Sequence, residues 1–171
     1  MKTIPLSQGQ VALVDDDDYE RLNKHKWHAR WSPKTQSFYA LRSSKKGEGL
    51  PRHTIYMARD IMHAQLGQEV DHKSHDTLDN RKVNMRLCTC SENLGNQKRH
   101  KKHSSQHKGV YWHKQHHKWH VYISCKGCRH HLGYFYDEDD AGHAYDRAAL
   151  KYHGEFAWLN FPQHRNGIPP V

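Results

Sequence analysis

Apolar side chains are scarce in this chain of 171 residues. Only 35% are hydrophobic and the mean hydropathy is −1.09. That excludes one large core, and two small folds of modest core size fit the length better. No apolar run approaches the roughly 20 residues that cross a bilayer, so no membrane partner is expected. The opening MKTIPLSQGQ lacks the apolar stretch of a signal peptide, so a cytoplasmic location is expected. Cysteine is limited to Cys88, Cys90, Cys125 and Cys128, in two close pairs. Reduced thiols are the default there. A four-thiolate zinc site is not expected: the two pairs would have to meet in space, and Cys88-x-Cys90 lacks the two-residue gap of zinc knuckles. Acids are the minority charge, 18 against 27 Lys and Arg, for a net +9. Eighteen histidines can add to it on acidification. Such a chain seeks polyanions, and nucleic acid is the first candidate.

What is present reads in order. QVALV is a short strand, and Asp15 to Asp18 supply a cap and first-turn charge for a helix through Lys24. KWHARW and SFYALR alternate on either side of a loop at 32–35, as a hairpin does. Ile55, Ala58, Arg59 and Met62 fit one helix, after a polar loop at 45–49. Residues 69–72 and 85–90 read as strands joined by an Asn- and Asp-rich loop, and Ser91 caps a helix into Lys98. QKRHKKHSSQHK, residues 97–108, carries five Lys or Arg, three His and no acid, and is the expected linker. GVYWH, KWHVYIS and RHHLGYF then read as three strands. A helix capped by Asp137 and ended by Gly154 follows, with Ala141, Ala144, Tyr145, Ala148, Ala149 and Tyr152 on its apolar face. Trp27, Trp31, Trp119 and Trp158 are expected in the cores.

The stretch VDHKSHDTLDNRKVNMRLCTCSENLGN, from Val70 to Asn96, holds four asparagines, four acids and two histidines. A turn needs no such set. If strand and following helix pack, Asp71 and Asn93 present oxygens to one point, a donor pair that suits Mg²⁺ with water and phosphate completing the shell. His72 beside them is placed to take a proton from water. Asp71-His72, Asn80, Asn84-Met85-Arg86, Asn93 and Asn96 together resemble the HNH nucleases of the ββα-metal fold, nearest to phage and intron-borne homing endonucleases. The resemblance covers about residues 52–99. It implies Asp71 and Asn93 as ligands of Mg²⁺ or Mn²⁺, His72 as general base, and Asn84 as the residue that pins the loop and orients that base. It implies supporting roles for Asn80 and Asn96. Where family members often have His-Arg in the preceding helix, this chain has Ala58-Arg59, so Arg59 is carried over as a supporting residue only.

The segment from GVYWH through LGYF, AYDRAA and HGEFAWLNF resembles the AP2 DNA-binding domain over roughly residues 105–162. That implies a three-stranded antiparallel sheet in the major groove with one helix behind it. Alternation gives the faces independently. Trp119, Val121 and Ile123 face the helix with Leu132 and His130, while Tyr111, His113, His120, Tyr122, Ser124, Arg129 and His131 face outward. Plant members carry more arginine on that outer face than this chain does. Lys98, Arg99, Lys101, Lys102 and Lys108 are expected on phosphates.

The expected architecture is therefore α+β. It has a β-rich extension at 1–51, an HNH core at 52–99, a basic linker at 97–108, an AP2-like domain at 105–162 and a tail at 163–171. The expected activity is site-specific cleavage of double-stranded DNA by a monomer with one divalent ion and no small-molecule cofactor, in a bacterial or phage-infected cell. A DNA-binding regulator with a silent nuclease half and an RNA-binding protein stay open as rivals.

Overall fold

The chain begins with a pairing that its sequence hides. In the computed structural model, which describes residues 1–44, 53–97 and 104–166, β1 (Lys2–Pro5) pairs antiparallel with β2 (Val11–Val14). The turn between them uses left-handed backbone at Gln8 (φ 59°) and Gly9 (φ 67°). Lys2–Pro5 alternates over too few residues to read as a strand alone; Ile4 makes it one, buried with Ala12 and Val14. α1 (Asp16–Asn23) follows with acids in its first turn, where the helix dipole favours them. Asp15 stands at the N-cap, but its side chain makes no capping bond; its Oδ2 accepts instead from the backbone N–H of Lys82 at 2.8 Å. Leu22, on α1, is fully buried and its carbonyl accepts from Trp27 Nε1 at 2.8 Å.

β3 (His28–Ser32) and β4 (Ser37–Ser43) form the expected hairpin, and β5 (Thr54–Tyr56) adds to β4 through Leu41↔Tyr56 and Arg42↔Ile55. This corrects the helix expected from Ile55: that residue is in a strand, and α2 spans only Met57–Ile61. It also makes one sheet of residues on both sides of the expected boundary at 51/52. β6 (Glu69–His72) and β7 (Met85–Cys88) pair as a two-stranded sheet, and α3 spans Cys90–Asn96. Leu22, Trp27, Met57, Ile61 and Met85 join the β1–β2 side chains in one core. Each fully buried apolar side chain of this size contributes roughly 1.5–3 kcal/mol. Trp31 is the exception to the expected tryptophan burial: it is 47% exposed, edge-on to Phe38 across the hairpin.

Two compact units result, Met1–Cys90 and Ser91–Val171. The division falls before the expected linker, of which 98–103 lie outside the described residues, as does the loop expected at 45–49.

In the second unit β8 (Val110–His113), β9 (Lys118–Cys125) and β10 (Cys128–Phe135) form an antiparallel sheet in the order β10-β9-β8. α4 (Glu138–His153) packs on one face. Asp137 caps it, its Oδ1 accepting from the N–H groups of Asp139 and Asp140 at 2.8 and 3.0 Å, and Gly154 (φ 55°) ends it. Val121 and Ile123 meet Ala141, Tyr145 and Ala149 in a core closed by Ala157 and Leu159 of the returning tail. Among the described residues no helix is long and apolar enough to cross a membrane.

Candidate functional site

Asp71 and His72 end β6, opposite Arg86 and Met85 on β7. Both are buried, at 4% and 6% exposure, in a chain with few apolar residues to cover them. They leave the strand toward different partners. The Asp71 carboxylate meets Arg86, whose Nε and Nη2 both donate to Oδ2, at 2.8 and 2.7 Å. The His72 ring turns toward the connecting loop, where Nε2 lies 3.3 Å from Asn80 Oδ1. With Asn80 accepting, Nε2 carries the proton and Nδ1 is the basic nitrogen. Burial holds the imidazole's pKa below the ordinary histidine value, against a smaller upward pull from Asn80 and then Asp71.

The loop that delivers Asn80 is built by hydrogen bonds to side chains and to distant backbone. Asn84 Oδ1 accepts from Ser74 N–H at 3.0 Å, and its Nδ2 donates to the carbonyls of Asp79 at 2.8 Å and Asp76 at 3.4 Å. Asn84 therefore pins the loop, as expected. Among the described residues the side chain hydrogen-bonded to the His72 ring is that of Asn80, not Asn84 as expected. Leu13 on β2 exchanges backbone bonds with Leu78 and Asn80, each at 2.9 Å. Thr77 Oγ1 donates to the carbonyl of Phe38 on β4. The N-terminal sheets thus serve as the rigid wall against which this loop is set.

Arg59 spends its guanidinium on the carbonyls of Ala64, Gln65 and Gln68, holding the loop that leads into β6. These bonds support the approach to the strand. Arg86, the partner of Asp71, went unassigned in the sequence; the alternation of 69–72 against 85–88 was the available signal. Asp71, His72, Asn80 and Asn84 are brought together within the first unit. Asn93 and Asn96 stand on α3 in the second, Asn96 buried.

The donor chemistry fits one hard divalent ion in limited form. The Asp71 carboxylate is a hard oxygen donor of the kind that suits Mg²⁺ or Mn²⁺. Arg86 engages its Oδ2, so a cation at this carboxylate would share it with Arg86. Among the described residues no three of His, Cys, Asp and Glu are arranged to hold an ion; water and phosphate oxygens would complete any such shell.

The second unit presents a different surface. On the side of the sheet away from α4, rows run across the strands: Arg129 pairs with Ser124, His131 with Tyr122, and Tyr134 with His120 and Tyr111. Arg129 lies over the Tyr122 ring at 4.0 Å. His130 stacks on Tyr152 of α4, so the expected faces hold up to residue 131. A β-bulge between His131 and Gly133 then shifts the register. With Gly133 at φ 127°, the extra residue turns Tyr134 outward and Phe135 inward. Simple alternation misses Tyr134; the glycine inside LGYF was the signal.

Lys108 departs from expectation. Its Nζ donates to the carbonyls of Gly95 and Gln97 at 2.8 and 2.7 Å. Burial pulls its pKa down to about 8. It fastens the end of α3 within the second unit and is withdrawn from the set of phosphate contacts. Lys98, Arg99, Lys101 and Lys102 lie outside the described residues. Compared with protein-family models, curated proteins and solved structures, the chain matches none.

Proposed function

We propose that this chain is a site-specific DNA endonuclease of the HNH type whose second unit, of the AP2 type, holds the duplex. The cutting half rests on one observation: a buried imidazole, kept neutral by its surroundings and fixed by Asn80, beside the carboxylate of Asp71. Within the first unit, Asp71 is the residue that would hold the ion. Such an ion, when bound, supplies Lewis acidity for the leaving 3′ oxygen. His72 accepts a proton from the attacking water at Nδ1, and Asn80 holds the ring so that this nitrogen faces the reaction. Arg86 orients the Asp71 carboxylate. The binding half rests on a sheet face whose strands and turns, residues 110–135, contain no acid. Its donors and rings suit phosphates and base edges.

The Arg86–Asp71 pair favours one second reading, a DNA-binding regulator that does not cut, because a neutralised carboxylate attracts a cation less. A plasmid assay separates the two. With Mg²⁺ or Mn²⁺ the chain should nick supercoiled DNA. EDTA should stop nicking while a gel shift of the same DNA persists. Cleavage undiminished in EDTA would overturn the metal; binding without nicking at any divalent concentration would establish the regulator.

Arg129 and Val121 test the faces of the sheet. Arg129→Ala should cost about 1–3 kcal/mol at the preferred site and much less on random DNA, relaxing choice at one or two positions. Val121, fully buried behind it, should on replacement by Ala destabilise the unit by about 1–4 kcal/mol. Selection from a randomised duplex pool beside thermal melting reads both. An unchanged selected sequence for Arg129→Ala, with an unchanged melting point for Val121→Ala, would reverse the faces.

A further inference from the structure

The outer face of β8–β10 is crowded with imidazoles to a degree that duplex recognition by itself does not require. His113 of β8 lies 4.4 Å from His116 in the following turn and 5.2 Å from His120 of β9, centroid to centroid. Tyr134 closes the group, 5.5 Å from His113, 5.1 Å from His116 and 4.8 Å from His131 of β10. Tyr122 bridges His120 and His131 at 4.9 and 5.0 Å. The rings form one continuous patch across three strands.

The charges that meet this patch are of one sign. β10 contributes Arg129, and β9 contributes Lys118, whose Nζ lies over the Tyr136 ring at 4.2 Å. Tyr111 of β8 adds a neutral ring 5.7 Å from His120. α4 packs on the opposite face, and residues 110–135 include neither Asp nor Glu. Within the free chain, then, these strands offer a charged imidazole no carboxylate. His120 shows the consequence: burial first, then His113, His131 and Arg129, hold its pKa below the ordinary histidine value.

We propose, building on the DNA-binding reading above, that this histidine–tyrosine face grips duplex phosphates by taking up protons, with His113, His116, His120 and His131 as the proton-accepting groups and Tyr134 as the ring that packs them. Phosphate charge relieves the mutual repulsion of the imidazoles, so these groups bind protons more tightly on DNA than off it. The sign follows from linkage. A group whose pKa rises on binding strengthens the complex below its free-chain pKa, and that gain is lost as pH climbs through the bound-state pKa. Uptake of a single proton changes Kd about tenfold per pH unit within that window.

The test uses the full chain in EDTA and a fluorescent 30-base-pair duplex at constant ionic strength. Kd is measured by anisotropy from about pH 7.5 to 5.5. The expected result is at least a tenfold tightening as pH falls, with a steeper salt dependence at the acid end. The variant combining His113→Gln, His120→Gln and His131→Gln should bind with a much shallower profile. As a check independent of the variant's folding, imidazole NMR titrations of the wild-type chain should show raised pKa values for these rings on DNA. A pH-independent Kd in the wild type, an undiminished slope in a folded triple variant, or unmoved titrations would overturn proton uptake while leaving DNA binding intact. Absence of binding at every pH would instead overturn the DNA reading itself.

Discussion

His72→Ala should nick plasmid at least about 10²-fold more slowly than the wild-type chain, and up to about 10⁴-fold, the range lost with a positioned general base. The substitution removes a buried ring whose Nε2 meets Asn80 and which, among the described residues, makes no other side-chain hydrogen bond. Duplex binding in EDTA should change little. The pH profile is the sharper readout. Burial lowers the pKa of His72, so the ring stays neutral to a more acidic pH than an exposed histidine would. Under single-turnover conditions with DNA saturating, where binding drops out, the rate should hold steady on acidification through about pH 6.5 and fall only below it. Asn80→Ala should shift that fall further toward acid, because the amide favours the protonated ring. It should also lower the plateau, since the imidazole loses its orientation. A His72→Ala rate above a tenth of wild type would place the base elsewhere.

Much of the second unit could be read from the sequence because its local chemistry and its packing agree. Lys118–Cys125 alternates apolar and polar, and Val121 and Ile123 are buried accordingly. Asp137 had to be a cap and Gly154 a stop, since few other residues serve there. What escaped were interactions set by distant backbone. Arg59 and Lys108 look like free cations in one dimension, and in the fold each is consumed by main-chain carbonyls. Ile55 reads as helix from its apolar spacing with Ala58 and Met62 but is captured, with Thr54 and Tyr56, by the open edge of β4. Around the candidate site, the asparagines were legible as a set and not as individuals. Asn80 and Asn84 differ in role only because the loop is stitched to Leu13, which fixes which amide faces inward.

Asp146 carries the second large expectation. It lies within AYDRAA on α4 and is fully buried. Its Oδ1 accepts from Asn160 N–H at 2.8 Å and its Oδ2 from Phe161 N–H at 2.9 Å. Asn160 in turn accepts from Lys108 N–H at 2.7 Å, just before β8 begins. The carboxylate therefore ties helix, returning tail and first strand of the second unit together. Phe161 stacks on His143 at 4.2 Å, and a side chain at Gly142 would come within 2.9 Å of that ring, so the tail has little freedom to relax. Asp146→Ala should strand two amides at roughly 1–3 kcal/mol each, for a loss of about 2–6 kcal/mol. Against a typical domain stability of about 5–15 kcal/mol, that leaves the second unit marginal. Hydrogen exchange reads the effect where it arises. The amides of Asn160 and Phe161 should exchange orders of magnitude faster in the variant, as should those of Val121 and Ile123 if the whole unit opens with the tail. Amides of β6 and β7, in the other unit, should keep their protection. Unchanged exchange at Asn160 and Phe161 would mean that the tail is held by its rings alone. Faster exchange confined to those two amides would mean that the sheet and α4 stand without the carboxylate.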